Sequence, residues 1–115
     1  MTVEDLIDKL NLTIVSGKGG LERKIQGCYV SDVLSDVLGS ATKETIWVTQ
    51  QNHKNVVAVA LLKQLSCVVL VKDILPSEEV IAISNKEEIP ILSTPSETFE
   101  IVGEIYNLIL RQNCK

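Results

Sequence analysis

The chain has 115 residues, of which 45% are hydrophobic and 23% charged, a balance typical of a single globular domain with one core. Its formal net charge of −4 comes from 11 basic and 15 acidic residues, and because the basic residues are scattered we expect no nucleic-acid partner. The longest apolar run, Val56 to Leu62, is too short to span a bilayer, so we expect no membrane segment.

The three cysteines, Cys28, Cys67 and Cys114, lie far apart and form no Cys-x-x-Cys pair. This spacing argues against a disulfide framework and against a zinc site, and it favours the reducing cytoplasm. The acidic N-terminus lacks the basic region of a signal peptide, which also predicts a cytoplasmic protein. We expect Cys67 to be a small buried residue within a strand and Cys114 to be exposed near the end of the chain.

The first predicted elements are a helix from Val3 to Leu10, capped by Thr2, and a short strand from Leu12 to Val15. The glycine-rich segment that follows, Ser16 to Gly20, superficially resembles a phosphate-binding loop. It lacks the spacing Gly-x-x-x-x-Gly-Lys-Ser/Thr that such a loop requires. We therefore interpret this segment as a flexible turn in which glycines relieve positive φ angles.

A second strand is predicted from Gly27 to Val30, and a short helix follows it and ends near Leu38. Ser31 or Asp32 is expected to cap this helix, because both side chains accept hydrogen bonds from free N–H groups. Gly39 is expected to stop the helix at its carboxyl end.

The segment from Thr45 to Asp73 predicts a β-α-β unit. A buried strand, Thr45 to Thr49, leads into a polar turn, an apolar helix from Asn55 to Leu65 and a second buried strand. Because the helix is apolar nearly all round, it is either fully buried or packed on two sides. One of those sides is a candidate subunit interface, and a homodimer is the default expectation.

The last part of the chain predicts two helices and one strand. Ser77 caps a helix that runs to about Lys86, and a short strand from Ile89 to Ser93 follows. Thr94-Pro95-Ser96-Glu97 has the pattern of a capping box and predicts the start of the final helix. Strands that alternate with helices predict an α/β fold, here a single compact domain over residues 1–115 with a mostly parallel sheet flanked by helices.

The polar turn after Thr49 is the best candidate site, because open parallel sheets place ligands at the carboxyl ends of their strands. Asn52 is a predicted N-cap, and the free N–H groups of the helix that follows favour an anion. Gln50 and His53, the only histidine, add neutral donors and acceptors. The alternative interpretation is that Asn52 merely caps the helix and that His53 is solvated.

Ser31 and Asp32 form a second polar group, at the end of the preceding strand. If this group lies beside the His53 turn, the two groups line one pocket. Asp32 and Asp36 lie four residues apart and share a helix face. Such a pair of carboxylates either holds a divalent ion or forms a solvated face, and we favour the solvated face.

The chain resembles the DRTGG domain family over nearly its whole length, from the Val3 helix to Tyr106. The resemblance rests on three segments, which are Gly27 to Val37, Trp47 to Ala60 and Ile89 to Leu92. It implies an α/β fold, a dimer and a regulatory or sensing role with no established catalysis. Such domains occur attached to phosphotransacetylases, to CBS-domain proteins that include regulated pyrophosphatases and, in a related form, before HPr kinases. Stand-alone members occur near di-iron hydrogenase genes in anaerobic bacteria.

The chain departs from this family's naming motif at two turns. Where the family often has Gly-Asp-Arg, the chain has Gln51-Asn52-His53, and where the family often has Thr-Gly-Gly, it has Val71-Lys72-Asp73. The arginine and the glycine pair are both replaced. The replaced positions still follow two strands of the β-α-β unit, so a site there has altered chemistry.

Taken together, the sequence predicts a non-catalytic regulatory or ligand-sensing domain, dimeric and without a cofactor or a metal. Its ligand, a small molecule such as a nucleotide or else a protein partner, is expected at the carboxyl ends of the strands. Thr49, Gln50, Asn52 and His53 form the floor of this site, with Ser31 and Asp32 as a wall. The alternatives are an assembly module without a small ligand and a phosphotransfer component that uses His53 as its acceptor.

Overall fold

The computed structural model describes residues 1–113, with their side chains through residue 111, so the expectation for Cys114 lies outside the described residues. Five helices, five strands and one 3-10 turn make up the domain. In chain order they are α1 Val3–Leu10, β1 Thr13–Ser16, the 3-10 turn Lys18–Gly20, β2 Gly27–Val30, α2 Leu34–Ser40, β3 Thr45–Thr49, α3 Val56–Leu62, β4 Cys67–Leu70, α4 Glu78–Glu87, β5 Ile91–Ser93 and α5 Thr98–Asn113.

The five strands form one sheet in the order β1-β5-β4-β3-β2. The pairs β2–β3, β3–β4 and β4–β5 are parallel, whereas β1 pairs antiparallel with β5. The prediction of an α/β domain with a mostly parallel sheet is therefore confirmed. In this order β2 lies at one edge of the sheet and β1 at the other.

Helices cover both faces of the sheet. Alternate residues of a strand point to opposite faces, so Ile46 and Val48 pack with α1 and α5, whereas Trp47 packs with α2, α3 and α4. Every residue of β3 and β4 is buried, which is typical of parallel strands covered on both sides. Cys67 is fully buried in β4, as predicted. None of the described helices combines the length and the apolarity needed to cross a bilayer.

The predicted bounds of α1, β2 and β3 match the structure, and the Ser77 cap of α4 is confirmed. Thr2 also caps α1, because its side chain accepts a hydrogen bond from the N–H of Asp5 at 3.2 Å. Helix α3 is shorter than predicted, and its exposed residues are Ala58, Leu61 and Leu62. The other four residues of α3 are buried, which accounts for most of its apolar character.

The predicted starts of α2, α3 and α5 and the predicted end of α2 are wrong. Helix α2 begins at Leu34 rather than after Ser31 or Asp32, and it continues through Gly39 to Ser40. Asn52 does not cap α3, since the residue at the N-cap is Asn55 and it makes no side-chain cap bond. Helix α5 begins at Thr98 because the N–H of Thr94 still pairs with the carbonyl of Leu70, beyond the end of β5.

The glycine-rich segment after β1 packs tightly against the end of α4. Gly17 has a φ of 75°, and a Cβ atom at this position would lie 2.2 Å from the carbonyl oxygen of Ile89. Its N–H donates to Oδ1 of Asn85 at 2.8 Å. The buried hydroxyls of Ser16 and Ser84 lie 2.8 Å apart, and Ser84 donates to the Ile89 carbonyl at 2.6 Å. This segment is therefore a structural turn rather than a phosphate loop.

Candidate functional site

The carboxyl ends of strands β2, β3 and β4 lie side by side, because these strands are parallel and neighbouring. Polar side chains that lie within two residues of these ends are therefore brought together, although they lie far apart in the chain. Asp32 follows β2, Gln50 follows β3 and Lys72 follows β4. We refer to the hydrogen-bonded group formed by Asp32, Thr49, Gln50 and Lys72 as the strand-end network.

The carboxylate of Asp32 is the centre of this network. Its Oδ1 accepts hydrogen bonds from Oγ1 of Thr49 at 2.9 Å and from the backbone N–H of Gln50 at 2.7 Å. Its Oδ2 accepts a longer bond from Nε2 of Gln50 at 3.3 Å. An ionised carboxylate has about four acceptor positions, so most of its capacity is used inside the protein. Asp32 therefore ties the end of β2 to the end of β3.

Gln50 extends the network to the next strand. Its Oε1 accepts a hydrogen bond from Nζ of Lys72 at 3.1 Å. The same ammonium lies 3.7 Å from Oε2 of Glu97, in an exposed ion pair that contributes little to stability. Lys72 and Glu97 are not among the site residues predicted from the sequence. The signal that identifies Lys72 is its position two residues beyond β4, beside the Gln50 turn.

The turn after β4 has an unusual backbone. Lys72 and Asp73 both have a φ of 57°, in the left-handed region. Their N–H groups donate to the carbonyls of Ser96 and Thr94, each at 3.0 Å, and these bonds hold the turn against the segment that follows β5. Glycine adopts this conformation most readily, which accounts for the glycine pair that the family resemblance associates with this turn.

The polar turn from Gln51 to Asn55 is held by its own side chains. Nε2 of Gln51 donates to the carbonyl of Asp32 at 3.3 Å, and its Oε1 accepts the N–H of His53 at 3.1 Å. Nδ1 of His53 accepts the N–H of Asn55 at 3.1 Å and is therefore unprotonated in this arrangement. Nδ2 of Asn52 donates to the carbonyl of Leu75 at 3.1 Å, which explains why Asn52 is not the cap of α3.

Ser31 and Asp36 use their polar atoms away from the strand-end network. Oγ of Ser31 accepts the N–H of Val33 at 3.1 Å, and its carbonyl accepts Nε1 of Trp47 at 2.8 Å. Both carboxylate oxygens of Asp36 lie 2.9 Å from the hydroxyl of Tyr29. Asp32 and Asp36 thus bind different partners, and the described residues contain no cluster of acidic, histidine and cysteine side chains that could hold a metal.

The predicted site residues thus separate into three groups. Asp32, Thr49 and Gln50 join in one network. Asn52 and His53 lie in the adjoining turn, which Gln51 links to Asp32. The side chain of Ser31 is occupied by its own loop.

Four groups near this network have no hydrogen-bond partner among the described residues. They are Nε2 of His53, Oδ1 of Asn52, Nζ of Lys54 and the side-chain amide of Asn55. All four residues are exposed, so these groups are available to a molecule that approaches the carboxyl ends of the strands.

Comparison with known proteins identifies a family and a similar fold. The sequence model of the DRTGG domain matches residues 5–108 of the chain. No curated protein sequence matches it.

The fold is similar to a crystal structure of the CBS and DRTGG domains of the regulatory region of Clostridium perfringens pyrophosphatase, complexed with the activator diadenosine tetraphosphate. The TM-score is 0.62 and the sequence identity 15%, over 86% of this chain and 43% of that chain. The chain thus spans less than half of the matched regulatory region, and at this identity the similarity establishes the fold.

Proposed function

Since the chain belongs to the DRTGG domain family, we propose that it is a non-catalytic regulatory domain that binds a nucleotide at the carboxyl ends of β2, β3 and β4. The observation that carries this proposal is the strand-end network, which gathers polar side chains from three strands at the edge where open parallel sheets bind ligands. A second support is the regulatory region with a similar fold, whose crystal structure contains a dinucleotide activator.

The chemistry of the exposed groups favours the nucleoside part of such a ligand. Nε2 of His53 and Oδ1 of Asn52 supply a donor and an acceptor, and the side-chain amide of Asn55 supplies both, which matches the donors and acceptors of base edges and ribose hydroxyls. Lys72, which pairs with Glu97, and Lys54 of the adjoining turn are the cations available to the phosphate part of the ligand.

The proposal excludes phosphotransfer through His53, the alternative left open by the sequence. An acceptor histidine needs a free nitrogen and a group that orients the ring and raises its nucleophilicity. Nε2 of His53 is free, but no carboxylate among the described residues contacts the imidazole, and the group that contacts Nδ1 is the N–H of Asn55, a donor that does not raise the nucleophilicity of the ring. Incubation with phosphodonors followed by intact-mass measurement should give no acid-labile adduct, and an adduct on His53 would refute this part of the proposal.

Thermal unfolding with a panel of adenine and guanine nucleotides and dinucleotides tests the site. A ligand that binds only the folded state, at about 100 times its dissociation constant, adds about 2.7 kcal/mol to the free energy of unfolding. This gain raises the melting temperature by several degrees in a domain of this size. Asn52→Ala and His53→Ala should each reduce the shift. Asn107→Ala, an exposed asparagine on α5 without a described side-chain hydrogen bond, is the matched control and should keep it.

Two results would contradict the site. A ligand whose shift survives both substitutions binds elsewhere on the domain. If no member of the panel produces a shift, the domain is an assembly module that acts through a protein partner, which is the other alternative drawn from the sequence.

We also propose that the domain is a homodimer and that edge strand β2 and helix α5 form its interface. Strand β2 has the sequence Gly-Cys-Tyr-Val, with neither charge nor proline to block pairing along its open edge. An apolar groove of about 220 Å³ lies beside it, lined by Cys28, Val30, Val102, Tyr106 and Ile109. Phe99 and Tyr106 are 90% and 66% exposed, and monomeric domains rarely leave such apolar surface uncovered.

A second copy fits this surface because two β2 strands related by a two-fold axis pair antiparallel and continue one sheet through both protomers. Helix α3, the interface suggested by the sequence, exposes Leu61 and Leu62 and is the competing surface. Sedimentation velocity distinguishes the two surfaces. Tyr106→Glu should yield monomers, and Leu62→Glu should remain dimeric. The opposite pattern would place the interface at α3, and a monomeric wild-type protein would refute the dimer.

A further inference from the structure

A basic pocket lies at the opposite end of the sheet from the strand-end network. It is formed by the segments that precede β2, β3 and β4, and it encloses about 300 Å³. Its charged lining residues are Arg23, Lys24, Lys43 and Glu44. Three cations thus converge on one concavity in a chain whose net charge is −4.

These cations lack carboxylate partners. The one side-chain ion pair within 4.0 Å in the described part of the chain joins Lys72 to Glu97, at the other end of the sheet. Glu44, the acidic residue in the pocket lining, accepts a hydrogen bond from Nε2 of Gln26 instead. Three cations against one carboxylate leave the pocket lining with a net positive charge, which favours an anionic occupant.

The guanidinium of Arg23 is already oriented. Its Nε donates to the carbonyl of Glu88 at 3.1 Å, and its two terminal nitrogens have no hydrogen-bond partner among the described residues. The backbone of Arg23 is also fixed, since its N–H donates to Gly20 at 3.1 Å and its carbonyl accepts the N–H of Val3 at 3.0 Å. A positioned guanidinium with two free amino groups suits the bidentate binding of an oxyanion.

The backbone around the pocket is also held by hydrogen bonds. Glu44 and Gln64 have φ angles of 59° and 55°, and the N–H of Glu44 donates to the carbonyl of Gln64 at 2.9 Å. The hydroxyl of Ser66, a buried residue, donates to the carbonyl of Lys24. These bonds connect the segments that precede β2, β3 and β4, so the backbone that carries the cations is held in place. Binding therefore requires little reordering of the backbone.

From this geometry we propose that the pocket binds the phosphate group of a small phosphorylated molecule, with Arg23 as the bidentate contact and Lys24 and Lys43 as supporting cations. This site is separate from the nucleotide site proposed above. Its volume is at the lower end of the range for small-molecule pockets, which suits a phosphate group with a short substituent. Phosphate, rather than a single carboxylate, matches three converging cations because it carries up to two charges and several acceptor oxygens.

Isothermal titration calorimetry with inorganic phosphate and pyrophosphate, at constant ionic strength set with chloride, tests the proposal. Wild type should bind pyrophosphate saturably and more tightly than phosphate. The double variant Lys24→Gln/Lys43→Gln changes two exposed side chains that make no described hydrogen bond, so it should fold normally and bind at least about tenfold more weakly. Arg23→Gln should show a similar loss, with circular dichroism confirming that the variant is folded.

The matched control is Lys9→Gln/Arg111→Gln, which changes the net charge equally at two exposed positions outside both proposed sites. It should keep the affinity of the wild type. Absence of saturable pyrophosphate binding would overturn the proposal. So would equal losses in the two double variants, which would indicate a nonspecific effect of charge. Affinity equal to the wild type in Lys24→Gln/Lys43→Gln would also overturn it, because phosphate would then bind outside the pocket.

Discussion

The carboxylate of Asp32 accepts the backbone N–H of Gln50 at 2.7 Å, so a side chain that follows edge strand β2 binds the first peptide N–H beyond its neighbour β3. The same oxygen accepts the hydroxyl of Thr49 at 2.9 Å. This is the role of a cap, but it is performed for a neighbouring strand rather than for the helix that follows Asp32. The arrangement explains both why α2 begins late and why Gln50 is held in place.

Asp32→Asn should weaken this connection. The amide retains one acceptor oxygen, but its NH2 group faces donors and cannot accept from them. We expect the free energy of unfolding to fall by about 1 kcal/mol, since Asp32 is exposed and water screens part of the effect. Chemical denaturation measures this change. Asp8→Asn, an exposed aspartate without a described side-chain partner, should have little effect, and equal losses in both variants would contradict the assigned role of Asp32.

The position of the site could be predicted from the sequence, but the hydrogen bonds within it could not. The run from Thr45 to Asp73 has the pattern of a β-α-β unit, and this pattern fixes which turns lie at the carboxyl edge. It does not indicate which neighbouring strand receives the carboxylate of Asp32, because that depends on the strand order. The same limit applies to Lys72, whose contact with Gln50 exists only because β4 lies beside β3.

Some helix boundaries could likewise be predicted from the sequence and others could not. The bounds of α1 follow from Thr2 and a local apolar pattern, and they could be predicted. The start of α5 could not, although Thr94 begins a capping pattern, because Thr94 is retained by hydrogen bonds to Leu70 and Asp73 in another part of the chain. Tertiary contacts of this kind override local preference where a strand leads directly into a helix.

Gly17→Ala should be strongly destabilising. A Cβ atom at this position would lie 2.2 Å from the Ile89 carbonyl oxygen, and a φ of 75° is unfavourable for alanine. We expect a loss of about 2–4 kcal/mol in the free energy of unfolding, from backbone strain and overpacking together.

Gly39→Ala is the matched control for this substitution. Gly39 lies within α2, and a Cβ atom there meets no other atom within 4 Å. Alanine should therefore stabilise the domain by about 0.5–1 kcal/mol, because it is the better helix former. Urea denaturation of both variants checks these opposite signs, and a mild effect of Gly17→Ala would contradict the close packing described here.

Glu88→Gly should stabilise the domain although it removes a side chain. Glu88 ends α4 with a φ of 56°, in the left-handed conformation that glycine adopts without strain. Its carbonyl, which accepts Nε of Arg23, is preserved by the substitution. We expect a gain of about 0.5–1 kcal/mol, measured by thermal unfolding. Lys86→Gly, two residues earlier and inside the helix, should instead lower the free energy of unfolding by about 1 kcal/mol. If both substitutions changed the stability in the same direction, this explanation would be wrong.

The buried thiols should make the domain sensitive to alkaline pH. Burial raises the pKa of Cys28 from 9.0 to about 12, and it also raises the pKa of Cys67 above 9.0. The folded protein thus retains thiol protons that the unfolded chain releases above pH 9. The stabilising contribution is complete below that pH and is lost as pH rises, by about 1.4 kcal/mol per unit and per thiol.

Cys67→Ala isolates one of these thiols. The variant should be less stable than wild type at pH 8 because it leaves a cavity in the core. The difference between the two proteins should shrink by about 2 kcal/mol between pH 8 and pH 10.5, since only the wild type still has this thiol to ionise on unfolding. Guanidinium denaturation at the two pH values measures the change, and a constant difference would show that Cys67 does not contribute to the pH dependence.

The antiparallel edge strand has a consequence for how the domain is made. Strand β1 pairs with β5 alone, so the backbone of Thr13 has no strand partner until Ser93 is in place. Helix α1 packs in the same core as α5, and its buried Val3 and Leu6 likewise lack their final partners until α5 has been synthesised. The N-terminal elements of this domain are therefore among the last to reach their native positions, and the domain completes its folding only once β5 and α5 are available.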